Sequence, residues 1–281
     1  MQKTITPRPF LKWAGGKTRL RKALLANTPK KFEDYYEPFL GGGAFFFTLY
    51  REQKLRQAYL SDLNEELINA YIIVRDQVSK LIKLLSTYPY DEKFYYKKRA
   101  EAPEEMQPVE RAARLIYLNK TCYNGLYRVN QQGIFNVPFG RYKSPTICDK
   151  KNLQAVSEAL SSVQIECLSF KKIVERANPD DFVYFDPPYE PLSKTAKFTS
   201  YQASGFGQDA QLQLQQICHA LSGRKVHFML SNSSADLIKE LYNANDFYIQ
   251  PVETIRSINS NAQKRGKLTE LIVTNYNAEG F

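Results

Sequence analysis

Val183-Tyr184-Phe185-Asp186-Pro187-Pro188-Tyr189 sets a short apolar run against an acid, two prolines and an aromatic ring. The run predicts a buried parallel strand, and Pro187 ends it because proline has no N–H to give to a ladder. Asp186 then stands at the strand's carboxyl end, where open α/β sheets bind their ligands. An acceptor carboxylate, carbonyls freed by the two prolines and a flat ring together suit a planar amine. Taken alone, the same residues also fit a strand followed by a plain proline turn.

On the carboxyl side, residues 192–207 form a Ser-, Thr- and Lys-rich loop of a kind that orders over a substrate. A helix over 208–220 and a buried strand over 225–230, ending at Ser231-Asn232, follow. Residues 246–255 and 268–275 read as two further strands. The polar, basic loop between them, 256–267, is of the sort that stays mobile until it meets a phosphate backbone. On the amino side, residues 153–160 predict a helix and 163–168 a strand.

Further upstream, residues 35–40 read as a strand that Gly41-Gly42-Gly43 turns into a helix beginning near Ala44. A second strand over 57–60 ends in Ser61-Asp62. An acid about twenty residues after a glycine turn accepts hydrogen bonds from ribose hydroxyls in nucleoside-binding βαβ units. Glu37 is a further candidate ligand contact, or equally one half of a salt bridge at the strand edge. In Phe10-Leu11-Lys12-Trp13-Ala14-Gly15-Gly16-Lys17-Thr18, a phosphate-loop reading fails because Leu11 stands where that motif needs glycine. A Gly-Gly turn flanked by Lys17 and the single tryptophan, Trp13, remains: a cofactor wall, or a structural turn with Trp13 in the core.

Residues 64–85 carry helical apolar spacing, 88–108 shift in composition toward aromatics, charge and proline, and 111–120 read as helix again. Residues 123–143 then interleave glycine, asparagine, aromatics and arginine without one acid, including Arg128 and Arg141. This is the composition of a hairpin-bearing surface that stacks on bases, forks an arginine onto guanine and holds phosphates, or of a generic hairpin with exposed Tyr and Arg.

The 281 residues allow one large α/β domain or a core domain with an insertion, and the net charge of +10 is unevenly spread. Residues 1–32 hold nine Lys or Arg, 111–148 six, 191–208 two and 254–269 four, none of these segments with an acid. Brought to one face they would suit a polyanion; kept apart they are solvated surfaces. Cys122, Cys148, Cys167, Cys218, His219 and His227 lack the spacing of a disulfide framework or zinc site, so no metal is expected. With neither a signal-like N-terminus nor a membrane-length apolar run, a cytoplasmic protein is expected.

With these residues assembled, the chain resembles the DNA adenine-N6 methyltransferases of the Dam type, including those of restriction-modification systems. The resemblance covers Phe10 to Lys17, Glu37-Pro-Phe-Leu-Gly-Gly-Gly43, Asp62, residues 123–143, Asp186-Pro-Pro-Tyr189, Leu230-Ser-Asn232 and the closing hairpin, in the family's order and spacing. It implies a Rossmann-like, S-adenosylmethionine-dependent α/β sheet with an antiparallel edge hairpin. An inserted, mainly helical DNA-recognition subdomain is implied over 73–159, with the catalytic domain at 1–72 and 160–281.

By position, Trp13, Lys17 and Asp62 match cofactor contacts, to which the strand-end Glu37 and the turn residues Gly41 and Gly43 are added. Asp186 matches the catalytic acid, which also lies against the cofactor; Pro187 and Pro188 share its motif, and Tyr189 matches the ring that stacks on the target adenine. Tyr123, Asn124, Leu126, Arg128 and Pro138 match residues that relatives use against DNA, with Arg141 in the same basic run. Such relatives typically recognise GATC. One departure is Ser169, which stands before Phe170 where many relatives carry an aspartate for the cofactor's adenine amine. The expected partner is duplex DNA, flipped open at the adenine and bound by a monomer, with a restriction endonuclease as a genetic companion. A methyltransferase for another planar amine, such as RNA adenine or cytosine N4, and a non-catalytic DNA-binding module are the competing classes.

Overall fold

The computed structural model describes residues 5–13, 15, 17, 20–192, 206–255 and 267–278. The loops expected at 192–207 and 256–267 lie outside the described residues except at their ends. In chain order the elements are α1 (Arg21–Ala26), β1 (Asp34–Glu37), α2 (Ala44–Arg51), β2 (Gln57–Asp62), α3 (Glu65–Asp76) and α4 (Val78–Leu85). Then come α5 (Glu92–Ala100), α6 (Pro108–Thr121), α7 (Lys150–Leu160), β3 (Gln164–Cys167), α8 (Ile173–Arg176) and β4 (Phe182–Phe185). The chain continues through α9 (Gln208–Gly223), β5 (His227–Ser233), α10 (Asp236–Leu241), β6 (Tyr248–Ile255) and β7 (Lys267–Thr274).

The strands form one seven-stranded sheet in the order β3-β2-β1-β4-β5-β7-β6. β4 runs parallel to β1 and to β5, whereas β7 is antiparallel to both β5 and β6. This is the Rossmann order 3-2-1-4-5 with an antiparallel hairpin closing one edge. All four residues of β4 are buried, as a central parallel strand covered on both faces requires. The strand order reverses between β1 and β4, so their carboxyl ends, Glu37 and Asp186, mark the topological switch point.

Contacts divide the chain into two compact units, one of residues 1–16, 40–54 and 60–167, the other of residues 17–39, 55–59 and 168–281. In the second unit, Val183, Phe185, Phe228 and Leu230 of the central strands pack with Leu214, Cys218 and Leu221 of α9 and with Phe170. Each such large apolar side chain contributes about 1.5–3 kcal/mol when fully buried.

The first unit is mainly helical. α6 opens with Pro108 at its first turn, and the Glu110 carboxylate accepts from the Gln107 N–H at 3.1 Å, closing the helix start. Arg114, buried within α6, donates to the Lys98 and Arg99 carbonyls at 2.7 and 2.9 Å, capping the end of α5. The single helix expected over 64–85 is two helices, because Gln77 leaves the helical region (φ −136°, ψ 32°) between α3 and α4. The apolar spacing runs on across that break, so periodicity alone does not show it.

Candidate active site

β4 stops at Phe185, two residues before Pro187, and Asp186 follows directly on its carboxyl end. Its Oδ1 atom lies 2.6 Å from Lys17 Nζ and accepts from Ser231 Oγ at 3.1 Å. Ser231 is fully buried on β5 and also shares a 3.0 Å hydrogen bond with the Tyr184 hydroxyl. Burial pushes the Asp186 carboxyl above the usual carboxylate range, while the Lys17 ammonium and the Ser231 hydroxyl oppose that rise. Tyr184 stays a neutral hydroxyl, since burial and then the neighbouring Asp186 charge both raise it.

The Lys17 ammonium also sits 4.3 Å from the centroid of the Tyr189 ring. One N–H donor thus touches the carboxylate and the ring face together. The Tyr189 hydroxyl donates to Glu270 Oε2 at 2.7 Å, and β7 supplies that acid. Glu37, at the end of β1, is buried and accepts from the Tyr35 hydroxyl at 2.7 Å. Ser169 accepts from the Lys171 N–H at 3.4 Å and starts the short 3-10 turn Phe170–Lys172. Its hydroxyl has this local capping role where an aspartate was the family expectation.

A different set of expected residues meets in the helical unit. Asp62 accepts from the Gly41 N–H through Oδ2 and from the Asn64 N–H through Oδ1, each at 3.0 Å. Burial raises the Asp62 carboxyl, and these backbone N–H groups counter it. Gly41 and Gly43 both hold left-handed backbone (φ 46° and 64°). A Cβ at Gly41 would lie 2.8 Å from Trp13 Cδ1, and one at Gly43 2.8 Å from the Tyr71 hydroxyl. Trp13 is half-buried and stacks on Tyr127 with ring centroids 5.0 Å apart. The tryptophan therefore lines a glycine turn whose backbone must stay open, and Tyr127 joins it without having been singled out in the sequence.

The expected reading surface is a hairpin-like excursion. Short bridges join Cys122 to Phe139 and Val129 to Phe135, and Gly133 turns the tip with φ 77°. Tyr123, Asn124, Leu126, Arg128, Pro138 and Arg141 are all exposed on it, Tyr123 at 54%. Asn124 takes left-handed backbone (φ 56°), and the Pro138 carbonyl accepts from the Tyr123 N–H at 2.9 Å. Arg128 spends part of its fork within the hairpin, donating from Nε to Asn136 Oδ1 at 2.7 Å.

An open α/β sheet of Rossmann order carries an acceptor carboxylate and an aromatic ring at its switch point. The model of the D12 class N6 adenine-specific DNA methyltransferases matches residues 13–258, and the chain belongs to that family. It is 44% identical to the type II methyltransferase M1.LlaDCHI of Lactococcus lactis subsp. cremoris, over 97% of this chain and 96% of that protein. It is 43% identical to the type II methyltransferase M.MjaIII of Methanocaldococcus jannaschii, over 96% and 99% of the two chains. With the DNA adenine methylase of Escherichia coli K12 it shares 36% identity over 94% of each. The chain is thus an enzyme, a site-specific methyltransferase of DNA adenine. Among the described residues no helix is long and apolar enough to cross a membrane.

Proposed function

We propose that Asp186, Pro187, Pro188 and Tyr189 receive a flipped-out adenine of duplex DNA, probed at GATC, and that Asp186 localises the lone pair of its N6 nitrogen. The observation that carries this reading is the single ammonium of Lys17, 2.6 Å from Asp186 and 4.3 Å from the Tyr189 ring: carboxylate and ring face converge on one N–H donor. Adenine N6 is a poor nucleophile because its lone pair is delocalised into the ring. With one N6 hydrogen on Asp186 and the other on the Pro187 carbonyl, the nitrogen turns tetrahedral. Orientation and fixed acceptors do most of the work, and the carboxylate stabilises the cationic amine before it sheds a proton. Such an approach needs the base out of the stack, with Tyr189 against its face.

S-adenosylmethionine supplies, when bound, an electrophilic sulfonium methyl. The residues fit such a group, since Trp13 packs an aromatic ring against the Gly41 turn and the Asp62 carboxylate beside it is an acceptor of the kind that ribose hydroxyls need. We assign Trp13, Lys17, Glu37, Gly41, Gly43, Asp62 and Asp186 to the cofactor. Residues 73–159 are assigned to DNA recognition and 1–72 with 160–281 to catalysis. Tyr123, Asn124, Leu126, Arg128, Pro138 and Arg141 contact the DNA, and the enzyme acts as a cytoplasmic, nucleoid-associated monomer. The type II names of two relatives support a companion restriction endonuclease.

The test is transfer of labelled methyl to duplex DNA, RNA and protein in parallel. Label is expected only in duplex DNA carrying the site; label in RNA or in cytosine N4 overturns the assignment. Arg128→Ala is expected to lose about 1–3 kcal/mol of discrimination at one base pair, read from transfer rates on singly substituted sites. A uniform loss at every site would assign Arg128 to phosphate.

The reaction also carries a pH signature. Asp186 must be ionised to accept both neighbours, so the single-turnover rate falls as pH drops through its raised pKa. Because Lys17 lowers that pKa, Lys17→Met is expected to move the acid limb to higher pH under saturating cofactor. An unmoved limb would detach the titration from Asp186.

A further inference from the structure

The backbone on either side of Tyr189 is gripped by three side chains to which the mechanism above gives no role. Gln211, on the first turn of α9, donates from Nε2 to the Pro188 carbonyl at 3.1 Å. Asn232, on β5, accepts the Glu190 N–H through Oδ1 at 3.1 Å, and Ser233 Oγ donates to the Glu190 carbonyl at 2.5 Å. The two amides are joined, because Asn232 Nδ2 donates to Gln211 Oε1 at 3.2 Å. Gln211 and Asn232 are both fully buried. A buried amide is costly unless its polar atoms are satisfied, and here they are satisfied by the loop that bears the aromatic ring. Apolar side chains in their place would leave the Pro188 carbonyl and the Glu190 N–H without these partners, so the amides fix the backbone of this loop.

We infer that Gln211 and Asn232 are positioning residues for methyl transfer, fixing residues 188–190 so that the Tyr189 ring stands where the target base is received. Neither amide touches Asp186, and both act through the backbone of the loop. The inference rests on the assignment of Asp186 and Tyr189 to the base. A clamp of this kind controls orientation rather than affinity. Its loss should therefore appear in the chemical step, since a displacement of about 1 Å at a reacting centre costs on the order of 100-fold in rate.

The experiment compares wild type with Gln211→Met, which keeps volume and removes both hydrogen bonds, and Gln211→Glu. A protonated glutamic acid can donate to the Pro188 carbonyl and still accept from Asn232; the carboxylate cannot donate. Single-turnover methylation, DNA and cofactor affinities, and fluorescence of 2-aminopurine at the target position are measured across pH, with Asp186→Ala alongside. Gln211→Met is expected to slow transfer on the order of 100-fold. Its DNA and cofactor affinities should hold, with an altered 2-aminopurine signal reporting a misplaced base. Gln211→Glu is expected to regain rate relative to wild type as pH is lowered, whereas Gln211→Met keeps a constant ratio. Wild-type rates in both variants, with Asp186→Ala inactive, would overturn the clamp alone. Parallel loss of rate and of both affinities in both variants would assign Gln211 to the fold and also overturn it. An active Asp186→Ala would instead overturn the reading on which the clamp rests.

Discussion

Asp186→Ala is expected to lower methyl transfer by on the order of 1,000-fold or more while leaving DNA binding in place. In the proposed mechanism the acceptor oxygens of this carboxylate meet the amine, and Oδ1 already holds a donor, Lys17 Nζ, at 2.6 Å. The substitution also strips the buried Lys17 ammonium of its Asp186 partner, and since the Asp186 side chain is 21% exposed the loss of stability falls below the roughly 3–5 kcal/mol of a fully buried pair. Asp186→Asn therefore accompanies it. The amide keeps the volume and one acceptor oxygen but loses the charge that stabilises the cationic product. Single-turnover transfer of labelled methyl, gel-shift affinity for the duplex and a thermal midpoint separate chemistry from folding. Retained turnover in both variants at native-like stability would remove Asp186 from the mechanism.

Asp62→Ala is the second large effect. Its two oxygens hold the N–H groups of Gly41 and Asn64, each at 3.0 Å, so truncation leaves two half-buried donors without that acceptor. A fully buried donor left so costs about 1–3 kcal/mol and a half-buried one less, and the left-handed turn at Gly41 also loses the contact that pins it. Titration calorimetry with S-adenosylmethionine is expected to show affinity reduced on the order of 100-fold, given that 1.4 kcal/mol is tenfold. Asp62→Asn, which retains one acceptor, should fall between. An unchanged Kd for Asp62→Ala would place the cofactor elsewhere.

Much of the frame is legible in the residues because punctuation coincides with structure. Pro187 bounds β4, Gly41 to Gly43 bound β1 and α2, and Ser61-Asp62 closes β2. The break at Gln77 was not legible, since no proline or glycine marks it and Val78, Leu81 and Leu85 keep the helical spacing begun in α3. Side-chain partnerships were harder still. The sequence offers Glu37 as a ligand contact or an edge salt bridge, and the hydroxyl of Tyr35, two residues away on the same strand face, is a partner that no pattern announces. Gln211 lies among several glutamines that look alike in composition, yet it shares the stripe of Leu214, Cys218 and Leu221 that α9 buries. A polar residue on an apolar stripe was the available signal, and only the fold shows that its target is the Pro188 carbonyl. Lys17 and Asp186 are distant in sequence, and no local pattern pairs a lysine from a glycine turn with a strand-end acid.

Sequencing with modified-base detection, on DNA from a methylation-free host expressing this chain, reads the modified base and its site together. N6-methyladenine confined to GATC, on both strands and absent from the Asp186→Ala strain, is the expected result. N4-methylcytosine, N6-methyladenine scattered without a common site, or unmodified DNA from a well-folded chain would contradict it.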